Sequence, residues 1–260
     1  MNKSVLRKLA GRLENGEALC AWVTVNEPAV AEWLAREAFD AVALDMQHGA
    51  IDFDGAMRSI LSVALAGKPT IVRVPVGEFA LASQLLDAGA SGILAPMINN
   101  GADARRLVDF VKYPPLGQRS WGPRTALPLS GLDAAAYLKT ANAMTQAIAM
   151  IETRAAVEAL DDILAVEGVD GVFVGPSDLS IALSGGVSVE PRGAALMTEA
   201  RRVAERAKAH EKYAAMFCFD GADAHAMLAL GYRLCTIASD HALMRTAAQG
   251  ELAAARAGRV

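Results

Sequence analysis

Short apolar runs alternate with longer stretches of helical spacing from one end of the chain to the other. The runs that read as strands are bounded by Gly, Asp or Pro. They cover 19–24, 40–45, 70–74, 92–96, 147–151, 170–174, 214–219 and 233–237. Between them lie Ala-, Leu- and Arg-rich segments whose apolar positions recur every three to four residues, such as 102–112, 154–166 and 193–211. Strands that are apolar throughout belong to a parallel sheet covered on both faces. Eight such units in 260 residues predict an α/β fold, a (β/α)₈ TIM barrel, as one domain over 1–260. The rival is a doubly wound open sheet, but no G-x-G-x-x-G follows the first strand. A helix over 3–14 precedes the first strand and predicts an N-terminal cap on the barrel bottom.

One segment breaks the rhythm. Residues 113–131 begin Tyr113-Pro114-Pro115-Leu116-Gly117 and contain Gly122-Pro123, which neither helix nor central strand tolerates. Because it comes after the fourth strand, the expectation is a loop over the C-terminal mouth, where such loops serve active sites. A rigid structural elbow is the alternative.

Composition narrows the class. With 53% hydrophobic residues the chain can bury a large core, and a net charge of −4 without a basic stripe argues against nucleic acid as partner. No apolar stretch approaches 18 residues, so no membrane span is expected. The N-terminal residues carry charges where a signal peptide needs an apolar centre. Cys20, Cys218 and Cys235 are odd in number, widely spaced and set in apolar runs, which fits reduced thiols and a cytoplasmic location.

In a (β/α)₈ barrel the chemistry sits at the C-terminal strand ends. Strand five ends at Glu152 and strand six leads to Asp178, about one βα unit apart. Adjacent strands would then deliver both carboxylates to one end of the barrel. Two hard oxygen ligands with no Cys or His nearby suit Mg²⁺ or Mn²⁺ rather than zinc, although each acid alone could be an exposed loop charge. Strand two ends in Asp45-Met46-Gln47-His48-Gly49, so Asp45 is expected to orient the His48 imidazole for proton transfer. Arg73 interrupts an apolar strand; beside a metal it would face an anionic oxygen. Gly175, Pro176, Ser177 and Asp178 precede an expected helix start at Leu179, where free N–H groups would hold a carboxylate. Metal ligands next to an anion cradle describe a site for a 2-oxo acid. His210, His225 and His241 are expected on the surface.

A Schiff-base aldolase needs a lysine inside the barrel. None of Lys3, Lys8, Lys68, Lys112, Lys139, Lys208 and Lys212 falls within a strand run. If the barrel activates a 2-oxo acid, it should use a metal.

These residues carry a resemblance. Leu44-Asp45-Met46-Gln47-His48-Gly49, Val72-Arg73-Val74-Pro75, Gly92-Ile93-Leu94-Ala95-Pro96-Met97, Tyr113-Pro114-Pro115-Leu116-Gly117-Gln118-Arg119, Ile151-Glu152-Thr153 and Gly168 to Ser180 are similar to the HpcH/HpaI-type class II pyruvate aldolases, the hydroxy-keto-acid aldolases. The likeness runs over nearly the whole chain. It implies a (β/α)₈ barrel assembled as a hexamer, with C-terminal helices exchanged between subunits. It implies Glu152 and Asp178 as ligands of a divalent metal, Co²⁺ being a further option, with Arg73 facing the pyruvate donor and His48 with Asp45 as the acid/base pair. Asp87 matches an acid presented to a neighbouring subunit's site, and Trp22 a pocket-lining residue; Phe217 is taken as a further substrate contact. One departure stands out. Related enzymes often carry Gln two positions before the metal-binding Glu, where this chain has Met150, which cannot donate a hydrogen bond. Hydroxypyruvate could therefore be accepted as donor.

The resulting expectation is metal-dependent, reversible aldol cleavage of 4-hydroxy-2-oxo acids, with small molecules as substrates. The rivals are a related carbon–carbon lyase acting on an acyl-CoA thioester and a non-catalytic ligand-binding barrel. The first would need a basic nucleotide surface.

Overall fold

The computed structural model describes residues 4–257. Its elements run α1 (Val5–Asn15), β1 (Ala18–Val23), α2 (Pro28–Arg36), β2 (Ala41–Asp45), α3 (Phe53–Leu65), β3 (Thr70–Arg73), α4 (Phe79–Asp87) and β4 (Gly92–Ala95). Three helices follow, α5 (Gly101–Val111), α6 (Ala126–Ser130) and α7 (Ala134–Met144), before β5 (Gln146–Ile151), α8 (Arg154–Glu158), α9 (Leu160–Leu164) and β6 (Gly171–Val174). The chain continues with α10 (Pro176–Ser184), α11 (Ala194–Ala209), β7 (Tyr213–Cys218), α12 (Gly221–Ala229), β8 (Leu234–Ile237) and α13 (Asp240–Arg256).

The eight strands close into a barrel in sequence order, β1 pairing with β8, and every pair is parallel. All eight predicted runs are strands, displaced by at most one residue at their ends. Their side chains alternate between two buried layers, which is why no polar–apolar alternation shows in the sequence. Trp22, Leu94, Ile148, Met150 and Phe173 fill the barrel interior. Val23, Leu44, Ile93, Ile151 and Val174 face the surrounding helices. The three described cysteines are free and buried.

Helix α1 begins after Ser4, whose hydroxyl accepts from Leu6 N–H, and sends Leu9 and Leu13 under the barrel. This is the expected cap, save that residue 3 lies outside the described residues. Asp52, Asn100, Asp133 and Asp220 cap α3, α5, α7 and α12 through their side chains.

The expectation for 113–131 is corrected. The segment follows α5, not β4 directly, and that helix returns the chain to the N-terminal end of the barrel. There Tyr113 packs with Leu6 and Tyr137, and Ser4 Oγ donates to the Leu129 carbonyl at 3.2 Å. The segment is the structural elbow, bound to the bottom cap, with α6 within it.

No helix among the described residues is long and apolar enough to cross a membrane. Helix α13 buries only Asp240 and is otherwise largely exposed.

Candidate active site

Strand register brings the first pair of candidates together. Asp45 and Arg73 are direct neighbours across β2 and β3. Arg73 Nε donates to Asp45 Oδ1 at 2.8 Å and Nη2 donates to Oδ2 at 2.6 Å. Both are buried. Asp45 Oδ1 also accepts the backbone N–H groups of Gln47 and His48. Burial opposes ionisation of Asp45, but the hydrogen bond and charge of Arg73 and these two N–H groups outweigh it and hold the carboxyl below its ordinary value. The Arg73 guanidinium carbon lies 4.9 Å from the centroid of the Trp22 ring, which packs on Phe173 and Phe217. Aromatic walls therefore hold this cation in the barrel mouth.

The expected side-chain pairing of Asp45 with His48 is not what forms. Asp45 is committed to Arg73 and touches His48 only through the backbone N–H. A strand-end acid next to an arginine on the paired strand is captured by that arginine, because a two-point ion pair outweighs a bond to a loop imidazole. The His48 ring is left exposed on the cavity wall.

Glu152 directly follows β5, and Thr153 caps α8 by accepting from Ala156 N–H, so the chain turns as soon as the carboxylate is delivered. Glu152 is 3% exposed. Its Oε1 accepts Met97 N–H at 2.8 Å. Met97 has φ of 57°, a strained conformation for a residue with a side chain, and it aims that N–H at the carboxylate. Burial pushes the Glu152 carboxyl above its ordinary value; the Met97 N–H opposes this, the charge of Asp178 adds to it and Arg73 opposes it.

Asp178 is exposed in the first turn of α10. The helix begins at Pro176, three residues before the predicted start, because proline suits the first helical position. The expected anion cradle thus falls within the first turn, with Ser177 and Asp178 supplying N–H groups. Gly175 precedes it, and a Cβ there would stand 2.7 Å from Glu152 Oε2. Glycine is required for the two segments to approach.

A cavity of about 600 Å³ opens at this end of the barrel. It is lined by Trp22, Asp45, His48, Arg73, Met150 and Asp178, with Gly175, Pro176, Ser177 and Phe217 on the same wall. Glu152 sits just behind the lining, against Gly175. Asp87 does not join them. It ends α4 at the opposite face, where Arg119 Nη2 donates to it at 2.6 Å.

The cavity includes residues that the strand-end reading passed over. Thr24, Ser239 and His241 line it. His241 is therefore not a plain surface histidine. The available signal was Ser239-Asp240-His241 directly after the apolar run of strand eight, the same pattern that flagged the other strand ends.

Comparison with known proteins decides the family. The pattern of the HpcH/HpaI aldolase/citrate lyase family matches residues 19–247. The chain belongs to that family. As an HpcH/HpaI family member it is an enzyme, a carbon–carbon lyase of the aldolase class. A hydroxypyruvate/pyruvate aldolase of Rhizorhabdus wittichii is 40% identical over 94% of this chain and 96% of its own. A 2-keto-3-deoxy-L-rhamnonate aldolase of Salmonella gallinarum is 31% identical over 94% of this chain and 90% of its own. The crystal structure of an HpcH/HpaI aldolase/citrate lyase family protein from Burkholderia cenocepacia superposes with a TM-score of 0.87. It is 30% identical and covers 96% of this chain and 100% of its own. The barrel of this HpcH/HpaI family member thus has an experimental counterpart over nearly its full length.

Proposed function

We propose that this enzyme catalyses the divalent-metal-dependent, reversible aldol cleavage and condensation of 4-hydroxy-2-oxo acids, with pyruvate or hydroxypyruvate as donor and an aldehyde as acceptor. One observation carries the reading: Asp178, the Asp45–Arg73 pair and His48 line a single cavity, with Glu152 against its wall.

The donor set fits a hard divalent ion. The charge of Asp178 adds to the cost of ionising Glu152, Glu152 Oε2 abuts a glycine in place of a side chain, and no thiol or imidazole stands between the two carboxylates. Mg²⁺ or Mn²⁺ held there would supply Lewis acidity to the carboxylate and keto oxygens of the donor. The remaining work falls to the chain. Arg73 spends two N–H groups on Asp45 and keeps others for the keto oxygen as it gains negative charge. Asp45 holds that guanidinium in one orientation. In cleavage the C4 hydroxyl loses its proton, the C3–C4 bond breaks and the aldehyde leaves. The bonding electrons pass to the donor, which takes a proton at C3. His48, exposed on the wall, accepts the first proton and returns the second through water. Met150, buried beside the carboxylate, offers the donor a contact without a hydrogen bond.

The size and lining of the cavity favour a small oxo acid over an acyl-CoA. Arg73 is the one lysine or arginine on its wall among the described residues, and a pyrophosphate would need more. The curated names of the two relatives, a hydroxypyruvate/pyruvate aldolase and a keto-deoxy-sugar-acid aldolase, support the same substrate class.

The working form is proposed to be a cytoplasmic homo-oligomer, a hexamer, of single-domain subunits. The exposed length of α13 supports helix exchange with a neighbour. Asp87, remote from its own cavity and held there by Arg119, is proposed to serve another subunit's. The test is incubation of the purified protein with Mn²⁺ and pyruvate or hydroxypyruvate against an aldehyde panel. Formation of 4-hydroxy-2-oxo acids is expected, and no product with any pair would contradict the reading.

A further inference from the structure

Asp240 is 1% exposed at the start of α13. Its Oδ2 accepts the N–H groups of Thr24 and Val25, which continue from β1, each at 2.9 Å. Its Oδ1 accepts Thr24 Oγ1–H at 2.6 Å and His241 N–H at 2.8 Å. Ala238, just before, has φ of 51°, so the chain accepts strain to bring this tether into place. His241 is thereby fixed against the mouth by its own backbone.

The ring follows from the same bonds. Nδ1 lies 3.1 Å from Ser239 Oγ and 3.3 Å from Thr24 Oγ1. Thr24 has one hydroxyl proton, and Asp240, which can only accept, already takes it. Towards His241, Thr24 can only accept, and the Ser239 hydroxyl can accept as well as donate, so the neutral tautomer that satisfies both contacts carries the ring proton on Nδ1. Nε2 then has its lone pair outward. It makes no hydrogen bond with any described residue, the ring lines the cavity, and the side chain is 65% exposed. An oriented acceptor without a protein donor is the complement of a hydroxyl group.

We propose that His241 is a specificity-determining residue whose Nε2 accepts a hydrogen bond from a hydroxyl of the substrate, with Asp240 and Thr24 as its positioning residues. The inference rests on the aldolase reading given above. The hydroxyl is either the C3 hydroxyl of hydroxypyruvate as donor or the hydroxyl beside the carbonyl of a hydroxyaldehyde acceptor. The chemistry recognised is the same. His241 differs from His48 in role: it reads a group that stays on the substrate and carries no proton of the reaction.

The experiment measures kcat/KM for the wild type, His241→Ala and His241→Gln with Mn²⁺ in two arms. One arm compares hydroxypyruvate with pyruvate against propionaldehyde. The other compares glycolaldehyde with acetaldehyde against pyruvate. In one arm, the ratio of the hydroxylated to the plain substrate is expected to fall about three- to tenfold in His241→Ala, the size of one neutral hydrogen bond. His241→Gln, which retains an acceptor, should restore part of it. The arm that responds identifies which hydroxyl is read. Unchanged ratios in both arms, or an equal fall for plain and hydroxylated substrates, would overturn the proposal while leaving the aldolase reading intact. A wild type without turnover on any pair would overturn both.

Discussion

Arg73 and Asp45 form a two-point ion pair between paired positions of β2 and β3, at 2.8 and 2.6 Å, inside the mouth of the barrel. Lysine can keep the charge at position 73 but cannot reproduce the fork that binds Asp45 while facing substrate. Arg73→Lys should therefore lower kcat by about 10²-fold, the scale of one preorganised donor. Steady-state kinetics on a 4-hydroxy-2-oxo acid decide, and near wild-type turnover would remove Arg73 from the site.

The same pair makes a pH prediction. The folded Asp45 carboxyl lies below its ordinary value. Such a group contributes stability above the unfolded pKa, roughly 4, and loses it as pH falls through the folded value. Asp45→Asn, which leaves Arg73 buried without its partner, should cost about 3 kcal/mol at pH 7. Its deficit against the wild type should be widest at neutral pH and shrink below about pH 4. Urea denaturation across pH measures the gap; a deficit that does not change with pH would show that the ion pair is not its source.

Glu152 is destabilised as a carboxylate by burial and by Asp178. Glu152→Gln keeps an oxygen for Met97 N–H and removes the buried charge. The metal-free variant should melt above the metal-free wild type. It should also lose the rise in Tm that Mn²⁺ gives the wild type, because ligand binding to the native state is what produces that rise. Thermal melts with and without Mn²⁺ read both effects. A variant that still responds to Mn²⁺ as the wild type does would take Glu152 out of the ligand set.

His48→Ala should lower kcat by about 10²-fold or more, the usual contribution of a positioned acid–base group. Its ring binds no other described residue, so the barrel and the affinity for Mn²⁺ should stay as they are. Kinetics beside a metal titration separate the two. Turnover within a few-fold of wild type would assign the proton transfers elsewhere.

Met150→Gln adds a hydrogen-bond donor on the interior face shared with the strand end at Glu152. The expected signature is a lower KM for the donor acid and a changed preference between pyruvate and hydroxypyruvate, with metal affinity unaltered. One added bond to a charged group is worth at most about 1.5–3 kcal/mol. Donor kinetics identical to the wild type would mean that position 150 does not read the donor.

The barrel was legible because each strand is buried on both faces and writes itself as a short apolar run. The strand-end rule points to Asp45, Arg73 and Glu152 for the same reason, since a polar residue closing such a run is conspicuous, and to Asp178 in the first helical turn after β6. What the sequence hid depends on pairing across space. Asp45 was assigned to the neighbouring His48, whereas register hands it to Arg73 on the next strand. The tether from Asp240 to Thr24 joins the last helix to the first strand, a contact no local pattern records. Counted from β4, the elbow at 113–131 falls at the mouth; α5 reverses the chain direction and carries it to the bottom.

The central claim is that this cavity activates C3 of a 2-oxo acid through a divalent ion. Proton NMR of pyruvate in D₂O tests it without any aldehyde. With the enzyme and Mg²⁺ the methyl signal should decay as deuterium replaces its protons. The decay should stop with a chelator and be absent in Glu152→Gln. A methyl signal that persists with the metal-loaded enzyme, or exchange that survives chelation, would contradict the account.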